Sequence, residues 1–349
     1  MQVTAIEEAL KLECCLFIDT RSPSEYEQGH IPGAVNIPLL EDDERAIVGT
    51  LYKQQGPEEA RQKGLDIVSG KLSDMVKQVS SLMADLPSAF LVVYCWRGGM
   101  RSRSVLTILE LMGISGNQLI GGYKAYRRYV QDRLACFSLR PRMIVLCGST
   151  GVGKTNVLQL LEDQGYPVID LEKLANHRGS AFGQVGRGKP ATAQNFDAQL
   201  LRLLAKYKQE PFIIVECESR KVGNVFLPEI LYEGMKSGLR ILARASITTR
   251  VQRLIVEYTD VLLPHDPEIL TSINSLTKKL GRKKVAQLLS DYEAGNLIAF
   301  TRTLLEEYYD PLYGYETASS ESFELVVQAE NLNQSAVEIA EYIDRLKKG

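Results

Sequence analysis

The sequence predicts an α/β protein of two domains, and three observations carry that prediction. Its 349 residues exceed what a single hydrophobic core usually organises, so two domains of ordinary size fit the length. Short apolar runs that read as buried strands (Cys15–Asp19, Phe90–Tyr94, Met143–Cys147, Pro211–Glu216, Leu239–Ala243) alternate with stretches of helical spacing. That alternation argues parallel sheets with ligands at their carboxyl edges. Finally, GSTGVGKT, Gly148 to Thr155, stands between an apolar run and a helical pattern, the context in which G-x-x-x-x-G-K-[ST] has physical meaning.

Composition narrows the class. The chain is 45% hydrophobic and 24% charged, with a net charge of −2, so any nucleic acid must be held by a local patch rather than a global basic field. Cys14, Cys15, Cys95, Cys136, Cys147 and Cys217 show no metal-ligand spacing, and five of the six read as small core residues. Met1 to Leu12 carries Glu7, Glu8 and Lys11 and does not read as a signal peptide. No apolar run reaches membrane-spanning length. The expectation is a cytoplasmic protein with reduced thiols, no membrane association and no tightly bound cofactor.

The first domain is expected over residues 1–137. The strand Cys15–Asp19 leads into TRSPSEYEQGHIPGAVNIPL, where Ser22 or Ser24 can cap a short helix and Gly29, Pro32, Gly33 and Pro38 punctuate turns around a short strand, Ala34 to Ile37. The polar segment Glu41 to Gly70 is long for a loop and is expected to be partly helical. Leu72 to Leu86 has helical spacing. The strand Phe90–Tyr94 then runs into Cys95-Trp-Arg-Gly-Gly-Met-Arg101 and a helix from Ser102 to Met112. A cysteine between a strand end and a helix N-terminus, with Arg97 and Arg101 beside it, is placed for thiolate activation. Asp19-Thr-Arg21, Glu25-Tyr26, GHIPGAVNIP (Gly29 to Pro38) and this loop resemble a rhodanese domain, which implies chalcogen carried on Cys95. The C-x5-R spacing of Cys95 and Arg101 is shared with cysteine phosphatases, and a loop of that size seats a tetrahedral phosphate. Phosphatase and acceptor of chalcogen from a chalcogen–phosphate donor are both open on loop size alone.

The second domain is expected over residues 138–349, as a P-loop NTPase-like parallel α/β domain with a helical C-terminal part. In Gly148, Ser149, Thr150, Gly151, Val152, Gly153, Lys154 and Thr155 the glycines bring backbone N–H groups close to an anion, Lys154 adds a point charge, and the helix adds its positive end. Thr155 offers a hydroxyl to Mg²⁺. The motif predicts a phosphate or diphosphate, not ATP in particular. Asp170 and Glu216 end two strand runs, where P-loop proteins place a metal-supporting carboxylate; each could equally cap a turn. Arg178, Arg187 and Lys189 lie in glycine-rich segments that could close over the anion. From about Ile247 the pattern turns mostly helical. Lys278, Lys279, Arg282, Lys283 and Lys284 put five cations within seven residues, a candidate RNA-contacting helix face. The tyrosines of LLEEYYDPLYGY (Leu304 to Tyr315) read first as packing residues, with base stacking the alternative.

The pairing of these domains, together with YKQQG (Tyr52 to Gly56), DLEKLANHRGSAFG (Asp170 to Gly183), ESRKVGN (Glu218 to Asn224) and LLEEYYDP (Leu304 to Pro311), closely resembles the tRNA 2-selenouridine synthase family over nearly the whole chain. The resemblance implies an exchange at the wobble 2-thiouridine of tRNA. The sulfur is S-geranylated from geranyl diphosphate, then the S-geranyl group is displaced by selenium from selenophosphate, with Cys95 matching the family's catalytic residue. On that reading the P-loop holds the departing diphosphate, Cys95 attacks selenium, and Arg97 and Arg101 hold the departing phosphate. Three other classes predict different behaviour. A P-loop kinase or NTPase with a rhodanese module hydrolyses ATP, an ATP-dependent tRNA sulfurtransferase adenylates the uridine, and a non-catalytic RNA-binding protein needs neither Cys95 nor Lys154.

Overall fold

The computed structural model describes residues 2–258, 265–315 and 319–348. Its contacts divide the chain into Met1–Cys136 with Asp197–Leu201, and Phe137–Phe196 with Arg202–Gly349.

In the first unit the apolar runs become β1 (Gln2–Thr4), β2 (Cys15–Asp19), β3 (Val35–Asn36), β4 (Phe90–Tyr94) and β5 (Asn117–Leu119). They form one sheet in the order β1-β5-β4-β2-β3, with every pair parallel. Leu91 to Tyr94 are buried because helices cover both faces of a central parallel strand, which is why β4 reads as a continuous apolar run rather than an alternating one. The polar segment after β3 is helical, Asp42–Gln54 and Pro57–Ser69, with Gly56 between the two. Pro57 opens the second helix, where its missing N–H costs nothing. Leu72–Asp85 then packs Met75 and Val79 into the core.

The second unit holds β6 (Arg142–Cys147), β7 (Val168–Ile169), β8 (Phe212–Glu216), β9 (Lys221–Val222), β10 (Val225–Phe226), β11 (Leu239–Arg244) and β12 (Leu325–Gln328). β9 and β10 form a small antiparallel hairpin. The others form a parallel sheet in the order β12-β11-β6-β8-β7. β6 is central, flanked by β8 and β11. The chain leaves β6 through the helix Lys154–Asp163 toward one side of the sheet and later continues on the other. Such a switch opens a crevice at the carboxyl end of the central strand, where the glycine loop begins. The helical part (Pro267–Ser275, Arg282–Glu293, Leu297–Leu304) gathers Ile273, Leu288, Tyr292, Phe300 and Leu305 into a core of its own.

Several expectations need correction. The C-terminal part is mostly helical, as the spacing predicts, and β12, which the sequence reading does not include, extends the sheet beyond β11 as a four-residue edge strand whose partner lies far earlier in the chain. The cation-rich run is not one helix. Gly281 takes a positive φ of 79° and divides Thr277–Leu280 from Arg282–Glu293. Five cysteines are not all core residues: Cys95 and Cys147 are buried, Cys14, Cys15 and Cys217 are half-buried, and Cys136 is exposed. Tyr309 does pack in the core, inside a π-helical turn, Leu305–Tyr309. Among the described residues no helix is long and apolar enough to cross a membrane.

Candidate active sites

The glycine loop follows β6 directly. A Cβ on Gly148, at φ 150°, would meet the Ala243 carbonyl oxygen at 2.7 Å, so the loop can hug β11 only with glycine there. Two arginines of the helix Ile247–Tyr258 fasten the loop from outside. Arg250, buried and ion-paired with Asp310, donates from Nε to the Thr150 carbonyl at 2.9 Å, and Arg253 Nη1 donates to the Val152 carbonyl at 2.8 Å. Lys154 Nζ donates to the Gly148 carbonyl at 2.9 Å, which folds the ammonium back over the loop.

Above the loop lies a cleft of about 680 Å³, lined by Gly151, Lys154, Thr155, Arg178, Arg253 and Tyr313 among others. Arg178 is held at its edge by an ion pair to Glu257 (2.7 Å) and by the Tyr258 ring 4.5 Å away. Of the loop residues, Thr150, Gly151, Gly153, Lys154 and Thr155 line the cleft, while Ser149 and Val152 are buried beneath it. Arg187 and Lys189 are not among its lining residues.

The two acids ending strand runs separate. Asp170 caps the helix Leu171–Ala175, its Oδ1 accepting the Lys173 N–H at 2.7 Å, so the capping alternative holds for it. Glu216 is buried, and one carboxylate oxygen accepts the Glu172 N–H at 2.7 Å while Oε2 is buried with no hydrogen-bond partner. Burial, reinforced by the charges of Asp170 and Glu172, pushes the Glu216 carboxyl well above the usual range. Burial likewise pushes Glu218 up to about 8. Thr155 Oγ1 lies 3.4 Å from Glu172 Oε2. An acid cluster that resists ionisation around an unpartnered oxygen suits a bound cation. Among the described residues, however, no group of three His, Cys, Asp or Glu side chains is arranged to hold a metal by itself.

The second candidate site stands at the end of β4. Cys95 Sγ accepts hydrogen bonds from the Gly99 N–H (3.2 Å) and the Ser102 hydroxyl (3.3 Å). Gln118 Nε2 donates to Ser102 Oγ at 2.8 Å, so the hydroxyl proton is left for an acceptor such as the sulfur. Burial works against ionisation of Cys95, but the hydrogen bonds from Ser102 and Gly99 and the charge of Arg101 outweigh it and hold the thiol below its ordinary value. The loop is packed against the next helix, Gly122–Ala135. The Tyr123 and Lys124 N–H groups donate to the Cys95 and Trp96 carbonyls, each at 2.9 Å. A Cβ on Gly122 would stand 2.2 Å from the Cys95 carbonyl oxygen, so only glycine permits that approach.

Arg101 is clamped by Glu25 through Nη1–Oε2 (2.5 Å) and Nη2–Oε1 (3.3 Å). Arg97 is exposed. Asp19 and Arg21 form a buried bidentate pair, with Arg21 also donating to the Gly29 carbonyl at 2.6 Å and lying 4.0 Å over the Tyr123 ring. They frame the domain and do not touch the sulfur.

Beside this loop opens an apolar groove of about 500 Å³ between the helices Asp42–Gln54 and Pro57–Ser69 and the helix Met100–Leu111. Exposed Tyr52, Leu65 and Met100 line it, and Arg101 is shared with the Cys95 site. The five C-terminal cations, Lys278, Lys279, Arg282, Lys283 and Lys284, are all exposed. Lys284 is ion-paired with Glu307, and Lys279 lies over the Tyr308 ring.

Ser102, Glu172, Arg250 and Arg253 join the sites without a motif position that marks their roles. Ser102 directly follows the arginine of C-x5-R and Glu172 lies inside DLEKLANHRGSAFG, so both carry a local signal. Nothing local marks Arg250 or Arg253, whose roles depend on one helix reaching the loop.

Residues 3–129 match a rhodanese-like domain, and residues 141–346 match the tRNA 2-selenouridine synthase AAA domain. The tRNA 2-selenouridine synthase of Nitrosomonas eutropha is 34% identical over 341 residues, covering 85% of this chain and 87% of that protein. The one from Pseudomonas syringae pv. syringae is 35% identical over 337 residues, covering 88% and 90%. Among solved structures, shikimate kinase from Bacteroides thetaiotaomicron is 16% identical, covers 58% of this chain and 98% of its own, and has a TM-score of 0.27.

Proposed function

Since the chain belongs to the tRNA 2-selenouridine synthase family, we propose that it carries out two successive transfers on the wobble 2-thiouridine of tRNA, one at each site. The observation that supports this reading is the pairing, in one chain, of a cleft over the glycine loop, lined by Lys154, Thr155 and Arg178, with a cysteine whose sulfur accepts hydrogen bonds from Gly99 and Ser102.

In the first transfer the uridine sulfur attacks C1 of geranyl diphosphate, the carbon–oxygen bond breaks, and diphosphate leaves. Negative charge develops on the departing oxygens. Lys154, the loop N–H groups and the positive end of the helix Lys154–Asp163 are placed to take it up. Arg178 and Arg253 stand at the same cleft. A magnesium ion, when bound, would neutralise diphosphate oxygens. Thr155 and Glu172 would hold it with Glu216 behind them, and diphosphate and water would complete its shell. Leu254, Val256 and Leu332 give the cleft an apolar side for the prenyl chain.

Alkylation turns a poor leaving group into a thiol that can depart. In the second transfer, selenium from selenophosphate, handled by the Cys95 loop, replaces the geranylthio group at C2. The groove beside Arg101 receives the geranyl chain at this stage. Its volume lies in the range of about 300–1,000 Å³ common for small-molecule sites, and exposed apolar side chains grouped around one recess favour an apolar ligand. The cations Lys278, Lys279, Arg282, Lys283 and Lys284 supply phosphate contacts to tRNA.

Diphosphate release tests the first transfer. Wild type should release diphosphate from geranyl diphosphate only when 2-thiouridine tRNA is added, without ATP. Lys154→Ala should lower the rate by about a hundredfold, on the scale of losing one charge-stabilising donor. Release that requires ATP would defeat the reading.

A further inference from the structure

The chain has one tryptophan, Trp96, and neither transfer employs it. Trp96 is 39% exposed, although a side chain of its size is mostly buried in folded proteins. Its backbone is fixed, with the carbonyl accepting the Lys124 N–H at 2.9 Å. Its ring leans on the buried ring of Tyr123, the centroids 5.9 Å apart and the planes inclined by 40°. Tyr123 is held in turn by the Arg21 guanidinium, 4.0 Å over its ring. The indole is therefore backed by packed protein on one side and open to solvent on another. A large ring kept in water by a rigid mount gains free energy when a partner covers it.

The charge around Trp96 selects the partner. Two segments meet there through the Lys124 hydrogen bond, Cys95–Leu109 and Asn117–Gln131, and neither contains Asp or Glu. Between them they carry Arg97, Arg101, Arg103, Lys124, Arg127 and Arg128. Arg101 is engaged by Glu25 and Arg127 by Asp197. Arg97, Lys124 and Arg128 are exposed, the last two one turn apart on the helix Gly122–Ala135. A fixed, open ring among cations suits unpaired nucleotides, because each base offers a face for stacking and the phosphates beside it take the charges.

We propose that Trp96 is the stacking platform for the unpaired wobble base of the tRNA, with Arg97, Lys124 and Arg128 on the phosphates beside it. The proposal rests on tRNA being the substrate and on neither transfer in particular. A base that undergoes chemistry has to leave its own stack, and the indole replaces the neighbours it loses. Stacking engages the face of the pyrimidine and leaves the edge that bears C2 open. Trp96 directly follows Cys95, so a base seated on the indole stands beside the cysteine loop.

Because Trp96 is the only tryptophan, its emission reports on this ring alone. The test titrates the full chain with an end-labelled anticodon stem-loop RNA carrying 2-thiouridine at the wobble position, reading label anisotropy for affinity and tryptophan emission for stacking. In wild type the emission should be quenched with the same midpoint as binding, and a duplex RNA without the loop should leave it unchanged. Trp96→Ala should weaken binding about tenfold, on the scale of one base losing an aromatic partner. Trp96→Phe should keep most of the affinity, and both variants should melt as wild type does. Replacing Lys124 and Arg128 by Ala should lower the slope of log K against log salt by about 0.7 for each single-strand phosphate released, with the emission still quenched at saturation. Unchanged emission at saturating RNA would overturn the proposal, as would wild-type affinity in Trp96→Ala. Equal quenching by geranyl diphosphate alone would assign the ring to the prenyl chain and overturn it too. If wild type binds no stem-loop at all, the tRNA reading itself falls and the proposal falls with it.

Discussion

Burial and hydrogen bonding pull the Cys95 thiol in opposite directions, and the hydrogen bonds prevail. The rate of Cys95 alkylation by iodoacetamide should therefore rise with pH at a midpoint below that of an ordinary thiol, and Ser102→Ala should move the midpoint upward. Unchanged profiles would mean that Ser102 does not act on the sulfur. Glu216 presents the opposite case, an acid whose pKa is raised on folding by burial and by neighbouring Asp170, Glu172 and Glu218. Such a group favours the fold below the ordinary carboxylate range and loses that contribution as pH rises toward its folded value. Glu216→Gln should therefore melt higher than wild type at pH 8, by about 2–4 °C for each kcal/mol relieved, with the gap closing below about pH 4. It should also lose most diphosphate release. Thermal scans across pH, with the release assay, check both. At this scale Cys95, Arg101 and Lys154 were legible because spacing alone marks them. The roles of Glu172 and Arg250 were not, because they depend on which strand or helix comes to lie beside the loop.

Both candidate sites sit where a parallel strand ends and a helix begins, and each relies on glycine for a backbone approach. Gly122→Ala would drive a Cβ into the Cys95 carbonyl, so it should abolish selenation. Geranylation, which the proposed reading assigns to the other unit, should persist; nucleoside analysis would separate the two, and loss of both would point to general unfolding. The cation-rich stretch is split by Gly281, with Lys279 on one short helix and Arg282 and Lys283 at the start of the next. Replacing these three by Ala should weaken tRNA binding and reduce the slope of log K against log salt by about 0.7–0.9 for each phosphate no longer neutralised. An unchanged slope would remove this surface from the RNA interface. The strands β2, β4, β6, β8 and β11 could be read from sequence because central parallel strands are apolar throughout. β1, β5 and β12 are short, and their existence depends on partners remote in the chain, which local pattern does not encode.

At the scale of the molecule, the two units have different chemical competence. One concentrates donors around a sulfur, the other concentrates donors and buried acids around an anion cleft. The pairing of domains was legible because each carries a compact motif, whereas the apolar groove assembles from helices in the segment after β3, where the sequence offers polarity and little else. The account's central claim is that the P-loop serves a departing diphosphate and Cys95 serves selenium transfer. The direct measurement is mass spectrometry of nucleosides from 2-thiouridine tRNA incubated with geranyl diphosphate and then selenophosphate, without ATP, using wild type, Cys95→Ala and Lys154→Ala. The account predicts geranylated and then selenated uridine from wild type, geranylated uridine but no finished 2-selenouridine from Cys95→Ala, and neither product from Lys154→Ala. Products that form only once ATP is added would contradict it.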